Sequence, residues 1–144
     1  MFSKTCEYAI RATLIIASET ASGDRISLRE IARKIHSPES FTAKILQKLA
    51  KDQIVLSNKG NGGGFFVSRD MLQKISLADI VKSIDGHAIF NACSLGLHDC
   101  SDDKPCPFHH QYKPIREQLK QALHNTSLEQ LVCGVVDKHT FLKI

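Results

Sequence analysis

The chain has 144 residues, with 42% hydrophobic and 24% charged side chains, no Trp and a formal net charge of +4. This is enough apolar material for one cored domain, or a small domain with an appendage, and it excludes a disordered or fibrous chain. No stretch approaches the roughly 20 apolar residues of a membrane span, and Glu7 and Arg11 interrupt any apolar core of a secretory leader, so a cytoplasmic protein with no membrane contact is expected.

The charge is unevenly spread. Residues 1–75 carry 12 Lys and Arg against 7 Asp and Glu, whereas residues 76–144 carry 7 against 8. The basic half is the part expected to meet a polyanion, because Lys and Arg neutralising phosphates are the usual source of DNA affinity. Inside a cell the five cysteines are expected as thiols or metal ligands rather than disulfides.

In chain order, Cys6, Ala9, Ile10, Thr13, Ile16 and Ala17 recur at helical spacing and predict a first helix from Lys4 to about Ser18. After an Ala21–Asp24 turn, Ser27-Leu28-Arg29-Glu30 reads as a capping box for a short second helix with Leu28, Ile31, Ala32 and Ile35 inward. His36-Ser37-Pro38-Glu39 is a turn and a fresh start: Ser37 is the expected cap, Pro38 the first helical residue, and Glu39 complements the dipole. The third helix runs to about Lys51, with Phe41, Ile45, Leu46 and Leu49 inward and Lys44, Lys48 and Lys51 outside that stripe.

Ile54–Lys59 and Phe65–Ser68 then read as two strands around Gly60-Asn61-Gly62-Gly63-Gly64, a hairpin. Three helices followed by a hairpin make a winged helix-turn-helix, which presents its second, reading helix to the major groove. The glycine run is not a nucleotide-binding loop, since neither Gly-Lys-Ser/Thr nor a helix follows it. Candidate DNA contacts are therefore Ser37, Ser40, Thr42 and Lys44 on the reading helix, and Lys59, Asn61, Gly62 and Arg69 at the wing.

Ser76-Leu77-Ala78-Asp79 caps a further helix that ends near Gly86. Residues 90–107 show no sustained period. A helix follows between Phe108 and His124, with Ile115, Leu119, Ala122 and Leu123 on one face and Pro114 marking either its first turn or a kink. Ser127-Leu128-Glu129 opens a last short helix through Val132. The chain divides into a winged helix-turn-helix at 1–75, a connecting helix and cysteine loop at 76–107, and a long helix with a C-terminal segment at 108–144.

Cys93, Cys100 and Cys106 stand in a Cys-x6-Cys-x5-Cys-x2-His pattern that ends on His109, in a loop that also holds Asp99, Asp102 and Asp103. Thiolates gathered in one loop suit a soft metal centre. The spacing fits iron–sulfur and zinc equally, and also fits oxidisable thiols with no metal. Cys6 and Cys133 occupy apolar helical positions and are expected in the core. No nucleophile elbow or Ser/His/Asp order appears, so an enzyme is not expected.

Tyr8-Ala9-Ile10-Arg11, Ser40-Phe41 with Ile45-Leu46 and Leu49, and Lys59-Gly60-Asn61-Gly62-Gly63-Gly64-Phe65 together resemble the Rrf2 family of transcription regulators. The likeness runs through nearly the whole chain. It implies a mainly helical winged-helix homodimer with the long helix packed across the two-fold axis, palindromic operators on double-stranded DNA, and a repressor controlled by an iron–sulfur cluster that reads iron–sulfur status, redox state or nitric oxide. In IscR-like members a His just after the third Cys completes a [2Fe–2S] centre, and His109 matches it. In NsrR-like members a carboxylate before the Tyr-Ala motif, from the partner's first helix, completes a [4Fe–4S] centre, and Glu7 matches that. His109 and [2Fe–2S] are the favoured pair. The alternative is a metal-free or zinc-containing regulator that uses thiols or a protein partner, as the CymR branch implies. Ala43 stands where IscR-like proteins carry an operator-discriminating glutamate, and the first inter-cysteine gap is one residue longer than the family's five.

Overall fold

The computed structural model describes residues 1–98 and 100–143; Asp99, one of the three loop carboxylates, lies outside them. Among the described residues, eight helices and one hairpin run in the order α1 (Lys4–Glu19), α2 (Leu28–Lys34), α3 (Glu39–Lys51), β1 (Leu56–Asn58), β2 (Gly64–Phe66), α4 (Arg69–Lys74), α5 (Leu77–Asp85), α6 (Ala88–Asn91), α7 (His109–Asn125) and α8 (Leu128–Val136). The mainly helical winged-helix class is the one expected. No helix among them is long and apolar enough to cross a membrane.

Helix α1 starts at Ser3, whose hydroxyl accepts from the Cys6 amide at 3.0 Å. Its buried face is built largely from small residues, Cys6, Ala9, Ala12, Thr13 and Ala17, with Ile16 between them. Small side chains let neighbouring backbones approach closely, so α1 packs against α2, α3, β2, α5 and α8 together. The main core gathers Ile16, Ile31, Ile35, Leu46, Leu49, Val55, Ile80 and Leu128, all fully buried. Burying each such side chain contributes about 1.5–3 kcal/mol relative to leaving it in water.

The expected caps at Ser27, Ser76 and Ser127 form, the last two as reciprocal boxes and Ser27 without the return bond expected from Glu30. Ser27 accepts from the Glu30 amide at 3.3 Å. The Ser76 amide donates to the Asp79 carboxylate at 2.9 Å. Ser127 and Gln130 cap each other reciprocally at 2.9 and 3.2 Å. Ser37 does not cap: α3 begins one residue later, with Pro38 at the cap position. His36, at φ 52°, makes the left-handed turn between α2 and α3, and the Ser37 amide is already bonded to the Ala32 carbonyl.

The hairpin is shorter than the apolar pattern predicts. Ile54 and Val55 are buried but donate to the Leu49 carbonyl rather than pair across strands. Gln53, at φ 58°, folds the chain back over the end of α3 and takes these two residues out of the ladder. What remains pairs Leu56 with Phe66, Ser57 with Phe65 and Asn58 with Gly64. Ile26 adds one bridge to Phe65, with bonds of 3.0 and 2.8 Å. Thr20 ties the hairpin base to α1: its hydroxyl donates to Ile16 and accepts from the Val67 amide.

Helix α7 runs unbroken through Pro114, which lies inside it. It buries Leu123 in a second cluster with Cys6, Ala78, Val81 and Phe90, which joins α1, α5, α6 and α7. Its other buried residue is His109, and Ile115 midway along is exposed. Cys6 is buried as expected, and burial together with Asp85 pushes its thiol up to about 12. Cys133 is exposed, which corrects the core assignment; α8 turns Leu128 and Val132 inward and Cys133 outward.

Candidate metal centre and nucleic-acid interface

The cysteine loop runs from the end of α6 to the start of α7. Both flanks are held by one face of α7, where His109, Lys113 and Arg116 stand at i, i+4 and i+7, the spacing that puts residues on one side of a helix. Arg116 donates to the carbonyls of Asn91 and Ala92 at 3.3 and 3.2 Å, fixing the chain just before Cys93. At the other end the His109 amide donates to the Cys106 carbonyl at 3.0 Å. A Ser101–Lys104 turn, closed by 3.2 Å bonds in both directions, bends the loop between them.

This brings the three loop cysteines together. Their sulfurs lie within 4.8 Å of one another, and no other group of three Cys, His, Asp or Glu donors this compact occurs among the described residues. Cys93 and Cys106 sulfurs are 3.6 Å apart. His109 Nδ1 lies 3.1 Å from Cys100 Sγ. The imidazole is 7% exposed, and its Nε2 meets Asp102 at 2.9 Å. Lys113 Nζ donates to both Asp102 oxygens, at 2.6 and 2.7 Å. Tyr112, Lys113 and Arg116 line the recess beside the thiols, so cationic side chains face the place where thiolate charge would gather.

The thiols are not equivalent. The amides of Leu97 and Leu95 donate to Cys93 and, with the Cys106 and Cys100 thiols, bring it down to about 7. At Cys100 the Cys106 amide pulls the same way, but partial burial and the neighbouring Cys106 and Cys93 sulfurs win and push the thiol up. Asp102 is held below the usual carboxylate range, first by Lys113 and then by His109. Glu7 is not in this group. It pairs with Lys4 at 2.8 Å and Arg11 at 3.9 Å on α1, and the Lys4 bond keeps its carboxyl low. His98 and His110 are exposed.

On the reading side, Ser40 and Lys44 are exposed on α3, Lys59, Asn61 and Gly62 are exposed at the wing, and Arg69 is exposed just beyond it at the start of α4. Thr42 is corrected: it is fully buried, and its hydroxyl donates to the Pro38 carbonyl at 3.0 Å. It sits at i, i+3, i+4 and i+7 with Ile45, Leu46 and Leu49, all on the buried face of α3. The Ser37 hydroxyl is also buried, with no hydrogen-bond partner among the described residues, so it does not reach outward. In the wing, a Cβ on Gly63 would collide with the Asn58 carbonyl, so that position requires glycine, and Gly62 adopts φ 72°, in the left-handed region that favours it.

Sequence reasoning missed two arrangements. Arg25 lies over the Phe66 ring at 4.9 Å and, with the Asn58 amide turned, donates to its oxygen at 2.8 Å, which braces the wing. The Lys113 and Arg116 supports to the cysteine loop were visible only as a helical spacing from His109.

The model of the Rrf2 family, described as iron-dependent transcriptional regulator, matches residues 2–134. The chain belongs to the Rrf2 family. A protein of Aquifex aeolicus assigned as an HTH-type transcriptional regulator is 31% identical over 144 residues, covering 98% of this chain and 96% of the relative. IscR of Xenorhabdus nematophila is 27% identical over 125 residues, covering 87% and 74%. Among solved structures, CymR of B. subtilis, the global cysteine regulator, superposes with a TM-score of 0.77 at 22% identity, covering 98% of each chain. IscR of T. potens superposes at 0.72 and 17% identity, covering 99% and 93%. This Rrf2 chain is therefore a DNA-binding transcriptional regulator, IscR-like in sequence, and not an enzyme.

In metal-free, reduced protein, alkylation of Cys93 by iodoacetamide should rise through a midpoint near pH 7, because the thiolate is the nucleophile and dominates above that pH. Cys100 should react only above the ordinary thiol range. Peptide mapping by mass spectrometry reads both, and equal pH profiles would contradict the hydrogen-bond pattern.

Proposed function

We propose that this Rrf2 protein is a homodimeric repressor of palindromic operators whose DNA affinity is set by an iron–sulfur cluster, [2Fe–2S], held by Cys93, Cys100, Cys106 and His109. The observation that carries the reading is the compact donor set: three sulfurs within 4.8 Å of one another and a buried imidazole nitrogen 3.1 Å from one of them. That chemistry fits an iron–sulfur centre with one nitrogen ligand. When bound, such a cluster supplies a centre that responds to oxidants, nitric oxide and iron supply. His109 is favoured over Glu7 because its Nδ1 lies 3.1 Å from Cys100 Sγ, whereas Glu7, which would have to reach over from the partner's first helix, is engaged by Lys4 and Arg11 of its own.

The chain's own part is to couple that site to DNA. Helix α7 carries His109 in its first turn and the exposed Ile115 midway. An uncovered apolar position on a 17-residue helix supports the contact between two copies that the family resemblance implies. A change in how His109 is held then travels along one helix to the interface that spaces two reading helices. A bias of a few kcal/mol is enough to switch such a pair. Residues 1–75 read DNA, 76–107 bear the site, and 108–144 join the copies, all in the cytoplasm. Ser40 and Lys44 on α3 and Lys59, Asn61, Gly62 and Arg69 at the wing are the proposed contacts. A second reading, a thiol sensor without metal, is favoured by the lowered Cys93 thiol 3.6 Å from Cys106 and by the likeness to CymR.

Anaerobic purification followed by absorbance, iron and sulfide analysis separates them. The proposal expects a coloured protein with iron and acid-labile sulfide, lost in Cys106→Ala; colourless protein with stoichiometric zinc, or with no metal, overturns it. For the wing, Lys59→Ala should weaken binding to all sequences alike and reduce the slope of log affinity against log salt by about 1. Measured by fluorescence anisotropy across a salt series, an unchanged slope removes Lys59 from the interface.

A further inference from the structure

We propose that Asp102 is a positioning residue that, clamped by Lys113, holds His109 with its bare Nδ1 turned toward the thiol triad. The inference rests on reading Cys93, Cys100, Cys106 and His109 as one ligand set. It adds what selects His109, and which of its two nitrogens, as the fourth donor.

The chemistry follows from the contacts. A neutral imidazole has one N–H and one lone pair. An ionised carboxylate only accepts, and Asp102 lies 2.9 Å from Nε2. The bond therefore requires the proton on Nε2 and leaves the lone pair on Nδ1, the nitrogen 3.1 Å from Cys100 Sγ. Metal-bound histidines are generally fixed in this way by a carboxylate or carbonyl on the other nitrogen.

Asp102 is tied on two sides. Although its side chain is 69% exposed, Lys113 grips both oxygens at 2.6 and 2.7 Å. Lys113 stands one helical turn beyond His109 on α7, so a single carboxylate spans two successive turns of the same face. With Asp102 69% and Lys113 42% exposed the ion pair by itself contributes little; what it adds is a second tie on the carboxylate that meets the buried imidazole. The neighbouring Asp103 makes no such contact, and His110, exposed, meets His109 edge-on only.

Long-range proton–nitrogen NMR of the metal-free protein at mildly alkaline pH reads the tautomer directly, with His110 as the internal reference. The proposal expects His109 in the Nε2–H form, a mixture of forms in Asp102→Ala, and no change in Asp103→Ala. Titration with Co2+ as the probe metal should show a loss of affinity of about 10–100-fold in Asp102→Ala, the range for removing a carboxylate behind a ligating histidine, and none in Asp103→Ala. An unchanged His109 tautomer or Co2+ affinity in Asp102→Ala, or an equal loss in Asp103→Ala, overturns it. Should the purified protein hold no iron, the cluster proposal falls, while these two measurements still decide the role of Asp102.

Discussion

Helix α1 is the constraint on which the rest depends. Its alanines and Cys6 present a shallow buried face, and α2, α3, β2, α5 and α8 close on it. Because interiors pack at crystal-like density, these neighbours are fixed relative to one another through α1. The turn between α2 and α3 aims the reading helix. The Thr20 hydroxyl and the Ile26 bridge set the wing beside it. At its other end Cys6 meets Phe90 and Leu123, so the same helix that carries the reading head also seats α6 and the last turns of α7.

The cysteine loop is held differently. No apolar core runs through it, and Leu95 and Leu97 are exposed. Its shape rests on polar ties to one face of α7, from Arg116 before Cys93 to Asp102 between His109 and Lys113. Such ties are individually modest, about 0.5–1.5 kcal/mol net for an ordinary hydrogen bond and more for one to a charged group. A loop with this construction is gathered by polar ties alone. The apolar seat of α7 at Leu123 and the polar seat at His109 leave Ile115, midway along the helix, exposed. The proposed metal site and the exposed Ile115 therefore share one helix.

Much of this was legible in the sequence because the relevant signals are local. Serine caps at Ser27, Ser76 and Ser127, the apolar stripes of α1, α3 and α5, and the glycine wing each declare themselves within a few residues. The errors have physical causes. The hydroxyl of Thr42 reads as a polar contact, although the residue completes the stripe of Ile45, Leu46 and Leu49 and its hydroxyl bonds to the Pro38 carbonyl. Ile54 and Val55 carry strand propensity, but the left-handed turn at Gln53 assigns their amides to the end of α3. Helices α4 and α6 are 6 and 4 residues long, too short to show a period. The triad and His109 were readable from spacing, whereas the Asp102 and Lys113 support needed the fold, because seven and eleven residues separate the partners in a segment with no pattern.

The most direct test of the central claim is pulsed electron paramagnetic resonance of the anaerobically isolated and reduced protein. A cluster held by three thiolates and His109 gives strong hyperfine coupling to one imidazole nitrogen, and that coupling disappears in His109→Ala. A reduced cluster with no strongly coupled nitrogen, or one whose nitrogen signal survives in His109→Ala, would contradict the account.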